Sequence, residues 1–466
     1  MSRMAPPHVL AFPFPAQGHI NPMILLCRKL ASMGFIITFI NTRSRHEQEF
    51  KKSTAVGDDS FRFVSIPDDC LPKHRLGNNL QMFLNAMEGM KQDLEQLVTD
   101  MASDPRRPPV TCVLFDAFIG WSQEFCHNLG IARALLWTSS AACLLLCFHL
   151  PLLKHLLPAK GRKDIIDFMP GLPSFCASHL PSTLQHEDEC DPGFELRIQR
   201  FERMKGDVWV FVNSFQEMEE APLDAARDVN PNCIAVGPLH FDDTVEETQL
   251  SISPIEDTSC LEWLDKQAPS SVVYVSFGSV ATISYSDAQQ IYKGLANSGH
   301  AFLWVIRLDL LQGSDEQARN EFLARIQQNE KGLIISWAPQ VKVLEHESVG
   351  AFLSHCGWNS TLESLSAGVP ILCLPCFAEQ VFNTAWVVDT LKVGVRIKKA
   401  MEAGIHASHV EDMVRFVMGR DHCSGDELRR RAKELRHAAK RNVQPNGSSH
   451  ANLVNFAKAL KLHCDL

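Results

Sequence analysis

Thirteen short, almost uninterrupted hydrophobic runs punctuate this chain, and they fall into two series with helical stretches between them. The first series is 8–14, 35–41, 61–66, 112–116, 133–137, 208–213 and 234–236. The second is 272–277, 302–307, 333–337, 349–354, 370–374 and 393–397. Runs that are apolar throughout, with polar residues only at their ends, mark strands covered on both faces, as in a parallel sheet. Strands alternating with helices then predict an α/β protein: two Rossmann-like, doubly wound parallel-sheet domains facing across a cleft. Ligands of such sheets bind beyond the carboxyl ends of the strands.

Between the series, segment 241–260 carries six acidic residues and no Lys or Arg, and reads as a solvated linker. The expected division is 1–240 for the first domain and 261–447 for the second. In 448–466, Leu453, Phe456 and Leu460 stand at helical spacing.

At 466 residues, 45% hydrophobic and 21% charged, the chain has material for two cores. A net charge of −9 argues against nucleic acid as a partner, and Arg429-Arg430-Arg431 reads as one solvated helix face. The fifteen cysteines are scattered. Cys143, Cys147, Cys356 and Cys373 lie in apolar surroundings, which suits reduced thiols, and the Cys373/Cys376 pair has no second pair at zinc-site spacing. The N-terminus does not read as a signal peptide, because Pro13 and Pro15 break its first apolar run. The longest greasy stretch, 134–153, is interrupted by Thr138, Ser139, Ser140, His149 and Pro151. It is expected to be a buried strand followed by a core helix rather than a membrane span. A cytoplasmic monomer is expected.

Segment 337–380 carries the most chemistry. It opens on Trp337 and includes Gln340. It runs through an apolar strand into the turn Ser354-His355-Cys356-Gly357-Trp358-Asn359-Ser360-Thr361, and then into a helix. Asn359 or Ser360 suits the N-cap, with Glu363 at capping-box distance from Ser360. Such a turn presents free N–H groups and a positive helix end, which suit a phosphate. The next strand ends in Glu379-Gln380. An aromatic for a base, a helix end for a diphosphate and an acid–amide pair for hydroxyls describe a nucleotide-sugar site.

Near the start, Gln17-Gly18-His19-Ile20-Asn21-Pro22 follows the first strand. Asn21 suits a cap and Pro22 the first helical position. His19 then stands at the cleft near a positive helix end that favours the neutral, proton-accepting imidazole. From the local sequence alone the favoured reading is instead a histidine that merely caps or hydrogen-bonds its turn. Asp116 ends an apolar strand, placed either to orient His19 or to cap its loop.

These motifs, WAPQ, HCGWNS and the closing EQ within 44 residues, together with AQGHINP and SFGS at 276–279, resemble the plant-type family 1 UDP-glycosyltransferases over nearly the whole chain. The resemblance implies the GT-B architecture, with the last helix crossing back onto the first domain. It implies that His19 is the catalytic base and Asp116 its orienting partner. Trp337 would stack on uracil, and Gln340 and Glu363 would hold the uridine. His355, Asn359, Ser360 and Ser279 would meet the diphosphate. Trp358, Glu379 and Gln380 would face the sugar, with Thr138 reaching it from the other domain. A terminal Gln points to glucose, and Glu379 stands where many relatives have Asp.

Segments 67–100 and 140–205 offer Phe83, Leu84, Met87, Phe148, Leu184 and Phe194 for an acceptor pocket, to which Phe14 and Phe118 are added. No Asp-x-Asp triplet occurs, so no metal and no cofactor is expected, UDP-glucose being a co-substrate. His346 between Glu345 and Glu347 is read as structural. The expected function is inverting transfer of glucose from UDP-glucose to a flavonoid, other phenolic or terpenoid, giving a β-glucoside. C-glucosylation, a nucleotide-sugar epimerase and a non-catalytic nucleotide-sugar binder are the alternatives. A nicotinamide enzyme is disfavoured by the absence of GxGxxG after the first strand.

Overall fold

The structure is a computed structural model describing residues 6–46, 60–71, 80–104, 107–186, 192–206, 208–241, 259–307, 310–400, 404–419 and 423–463. Each hydrophobic run becomes a strand. One sheet has the order Phe61–Ile66, Ile36–Thr42, His8–Phe12, Val110–Asp116, Ala132–Trp137, Trp209–Val212, Cys233–Ala235, every neighbouring pair parallel. The other has the order Gly332–Ile335, Ala301–Val305, Val272–Ser276, Val349–Ser354, Ile371–Cys373, Gly394–Arg396, again all parallel. Both are doubly wound, with the strand order reversing beside the first strand of each domain. Chain leaving adjacent strands at such a point parts to opposite faces and opens a crevice. His19 and Asp116 follow the two strands at one switch point, and Ser279 and His355 follow those at the other.

The 134–153 stretch is the buried strand Ala132–Trp137, the helix Ala141–Phe148 and a 3-10 turn from Leu150. Among the described residues no helix is long and apolar enough to cross a membrane. The last helix, Ser448–His463, packs on the first domain. Phe456 lies against Phe35, Trp209 and Phe211, with ring centroids 4.8 to 6.5 Å apart. Ser449 and Asn452 donate to the Gly237 and Ala235 carbonyls. Most of the expected linker lies outside the described residues, and a helix already begins at Ser259.

Two helix starts differ from expectation. The first helix is Gln17–Ser32, starting after Ala16, which makes no side-chain cap, so Asn21 caps nothing and Pro22 lies inside the helix. The helix after the HCGWNS turn is Trp358–Ala367, with Gly357 at its N-cap. Asn359 and Ser360 are therefore inside the first turn, and their side chains are free for other partners.

Candidate active site

His19 Nδ1 lies 2.7 Å from Asp116 Oδ2, and Thr138 Oγ1 lies 3.1 Å from the same nitrogen. Asp116 is wholly buried, while His19 keeps 20% of its side-chain surface open. The other carboxylate oxygen of Asp116 accepts the Phe118 N–H, so this residue both caps its loop and holds the imidazole. Among the described residues His19 Nε2 has no protein partner, which leaves it for a ligand. Burial pulls the His19 pKa down. The charge and hydrogen bond of Asp116, with the more distant Glu379, more than offset this and hold it above 6.5. The neutral ring expected from the helix end is therefore opposed by the carboxylate behind it. Phe14 and Phe118 flank the imidazole, with centroids 5.1 and 5.4 Å away.

Across the cleft, Gln340 Nε2 donates to Glu363 Oε2 at 2.7 Å and to Ser360 Oγ at 2.9 Å, and its oxygen accepts from Tyr274 Oη. The Ser360–Glu363 capping box is thus replaced by a Gln340 bridge. Burial pushes Glu363 up to about 7, opposed by that bond, and lowers His355 to about 4, so His355 is neutral near pH 7. The His355 ring is wedged between two glycines: a Cβ on Gly278 would come within 2.8 Å of Nε2, and one on Gly357 within 2.5 Å. Gly278 is also left-handed, with φ of 72°, so a side chain there is both strained and obstructed. Arg307 donates to the Ser279 carbonyl, fixing the turn after Val272–Ser276. The half-buried Trp337 has an indole N–H with no partner among the described residues.

Trp358 is placed differently from expectation. Its side chain is 2% exposed, packs with Phe215 and Met218 of the first domain, and donates Nε1–H to the Asn213 carbonyl at 2.8 Å. The indole therefore closes the domain interface and does not face a sugar. Burial raises Glu379, partly opposed by its own backbone N–H and by the charge of His19. Gln380 is buried, and its oxygen accepts the Cys376 and Phe377 N–H groups, so only its amide nitrogen side remains for a hydroxyl. Ser182 exchanges two hydrogen bonds with Ala378, bringing the Glu379 turn against the first domain.

Of the acceptor candidates, Phe83, Leu84, Met87, Phe148, Leu184 and Phe194 share one apolar cluster with Phe14. Phe14 and Phe148 are 1% exposed, Phe194 is 0% and Met87 and Leu184 are 2%, so all five back the wall and offer no open face. His346 bonds Ser348 and Asp265, which fits a structural residue. Among the described residues no cluster of three or more metal-ligating side chains occurs. Sequence reasoning missed Tyr274, Gly278 and Gly357 as supports of the site. The glycines were visible in the SFGS and HCG motifs, but not that both lie against the His355 ring.

An imidazole anchored on a buried carboxylate in one Rossmann-like domain, joined through Gly18 to a helix end of the other, is the arrangement expected of a sugar-nucleotide glycosyltransferase. The comparisons agree. Residues 206–418 match the family described as "UDP-glucoronosyl and UDP-glucosyl transferase", and residues 7–169 match "Glycosyltransferase, N-terminal domain". The chain is 34% identical to Linamarin synthase 1 of Manihot esculenta, covering 99% of this chain and 98% of the relative. It is also 34% identical to (R)-mandelonitrile beta-glucosyltransferase of Prunus dulcis, covering 98% and 97%. The structure of Phytolacca americana UGT2 with UDP-2fluoro-glucose and pterostilbene superposes with a TM-score of 0.80 at 28% identity, over 98% of this chain and all of that one. The protein belongs to the plant family 1 UDP-dependent glycosyltransferases and has their GT-B fold.

Proposed function

We propose that this enzyme transfers glucose from UDP-glucose to a hydroxyl of a small lipophilic acceptor by single displacement with inversion. His19 Nε2 takes the acceptor proton as the acceptor oxygen attacks the anomeric carbon. The bond from that carbon to the UDP oxygen breaks, and UDP leaves from the opposite face. The imidazolium so formed keeps its Nδ1–H on Asp116, which fixes the tautomer and offsets the new charge. General-base help of this kind is worth ~10²–10⁴-fold, with positioning adding to it.

In this reading Trp337 stacks on uracil, and Glu363 holds the ribose with Gln340 steadying it. The helix end at Gly357, with His355, Asn359, Ser360 and Ser279, meets the diphosphate. Glu379 and the Gln380 amide take sugar hydroxyls. The Trp358 side chain has no place in it, and Thr138 supports the base as well as facing the sugar. The leaving-group charge is carried by these donors without a metal, so activity should survive a chelator.

For the acceptor, one relative is named as a glucosyltransferase of (R)-mandelonitrile and the structural neighbour holds pterostilbene, which supports a small lipophilic hydroxyl compound. The half-buried Phe118 beside the base, backed by the buried Phe14, suits an aromatic or similarly flat lipophile. The 2.7 Å His19–Asp116 contact carries the proposal. Its test is incubation with UDP-glucose and a panel of hydroxynitriles, phenolics and terpenoid alcohols. Mass spectrometry should find one added hexose, released by acid. Free glucose with no glycoside, or an acid-stable product, would overturn the O-transfer reading.

A further inference from the structure

Asn359 Nδ2 donates to the main-chain carbonyl of Gly18 at 2.8 Å, from the donor-side turn of one domain to the catalytic-side helix of the other. Gly18 immediately precedes His19 in the first turn of Gln17–Ser32. In an uninterrupted α-helix the carbonyl of residue 18 accepts the N–H of residue 22. Residue 22 is proline. It has no N–H to give, and its ring crowds the carbonyl four residues back and turns it outward. The Gly18 oxygen is thereby released from the helix ladder and becomes an acceptor for another element. Asn359 occupies it, and among the described residues its own buried Oδ1 has no protein partner.

We propose that Pro22 is a positioning residue that frees the Gly18 carbonyl so that Asn359 can tie the donor-binding turn to the helix carrying the base. An amide nitrogen has two N–H groups. One can hold Gly18 while the other meets a donor phosphate, so that one side chain registers both the donor and the position of His19. This rests on the proposed roles of His19 as base and Asn359 as a diphosphate contact.

The test is a double-mutant cycle of Pro22→Ala, Asn359→Ala and the pair. Restoring the N–H at residue 22 gives Gly18 an intrahelical partner, so Pro22→Ala should lower kcat while leaving the UDP dissociation constant within ~2-fold. In the Asn359→Ala background the same change should cost nothing further, because coupled residues are non-additive. Losses that multiply would overturn the latch, since Pro22 would then act only within its own helix. The cycle is also read in hydrogen exchange of the donor-side turn amides, 355–361, in the ligand-free protein, which needs no turnover and is not altered by the hydrogen bond restored within the first helix. Faster exchange in each single variant, with no further rise in the double, supports the latch even if no acceptor is glucosylated. Unchanged or additive exchange removes it, whatever the activity.

Discussion

Asp116, completely buried, holds the Nδ1 edge of the partly open His19 at 2.7 Å, so the imidazole is anchored on its protein side and available on its cleft side. Asp116→Asn keeps the shape but removes the charge and disturbs the tautomer. It should lower kcat by ~10²–10⁴-fold, while calorimetry finds UDP affinity almost unchanged. Normal turnover in this variant would remove the dyad.

The same pair sets the pH profile. On the proposed mechanism His19 works only when neutral, and Asp116 and Glu379 together outweigh burial to raise its pKa. Activity should therefore rise with pH through an inflection above 6.5 and then level off. In Asp116→Asn the largest raising influence is gone, and the inflection should move to lower pH. A rate profile in both proteins, taken at saturating donor, checks the direction.

Glu363 gives donor binding its own pH dependence. Its carboxyl is pushed to about 7 by burial. If the charged form accepts the ribose hydroxyls, UDP affinity is full above pH 7 and weakens as pH falls below it. Glu363→Gln should bind UDP more weakly but without that slope. His355, held near 4, stays neutral over this range and contributes no slope. Titration calorimetry at several pH values decides it.

Gly278→Ala and Gly357→Ala both drive a methyl into the His355 ring. Overpacking of this kind costs ~1–3 kcal/mol, so UDP binding should weaken by roughly 5–150-fold if the ring is displaced. Gly278→Ala should be the worse of the two if backbone strain adds to the contact, because only Gly278 has positive φ. Equal, wild-type affinity in both would mean that His355 does not need this cradle.

Phe456→Ala tests the returning helix. The ring is 2% exposed among Phe35, Trp209 and Phe211. Emptying such a site costs about 3–5 kcal/mol. Hydrogen exchange should accelerate in the first domain and in 448–463, with UDP binding by the second domain retained.

The strands were legible because burial on both faces of a parallel sheet writes itself locally, as runs such as Val349–Ser354. Two such series, split by an acidic segment, were enough to give two doubly wound domains and to put His19, Asp116, Ser279 and His355 at strand ends. Local sequence also held the aromatic, the helix end and the acid–amide pair of the donor side. Helix starts were less legible: Asn21 and Asn359 look like caps, yet Ala16 and Gly357 occupy those positions. Tertiary structure alone decided that Trp358 turns into the domain interface, that Gln340 joins Glu363 to Ser360, that two glycines enclose His355, and that Gly18 meets Asn359. Apart from Gly357 beside His355, these join residues 20 or more apart in the chain. Periodicity reports which face of an element is buried, but not which partner lies against it.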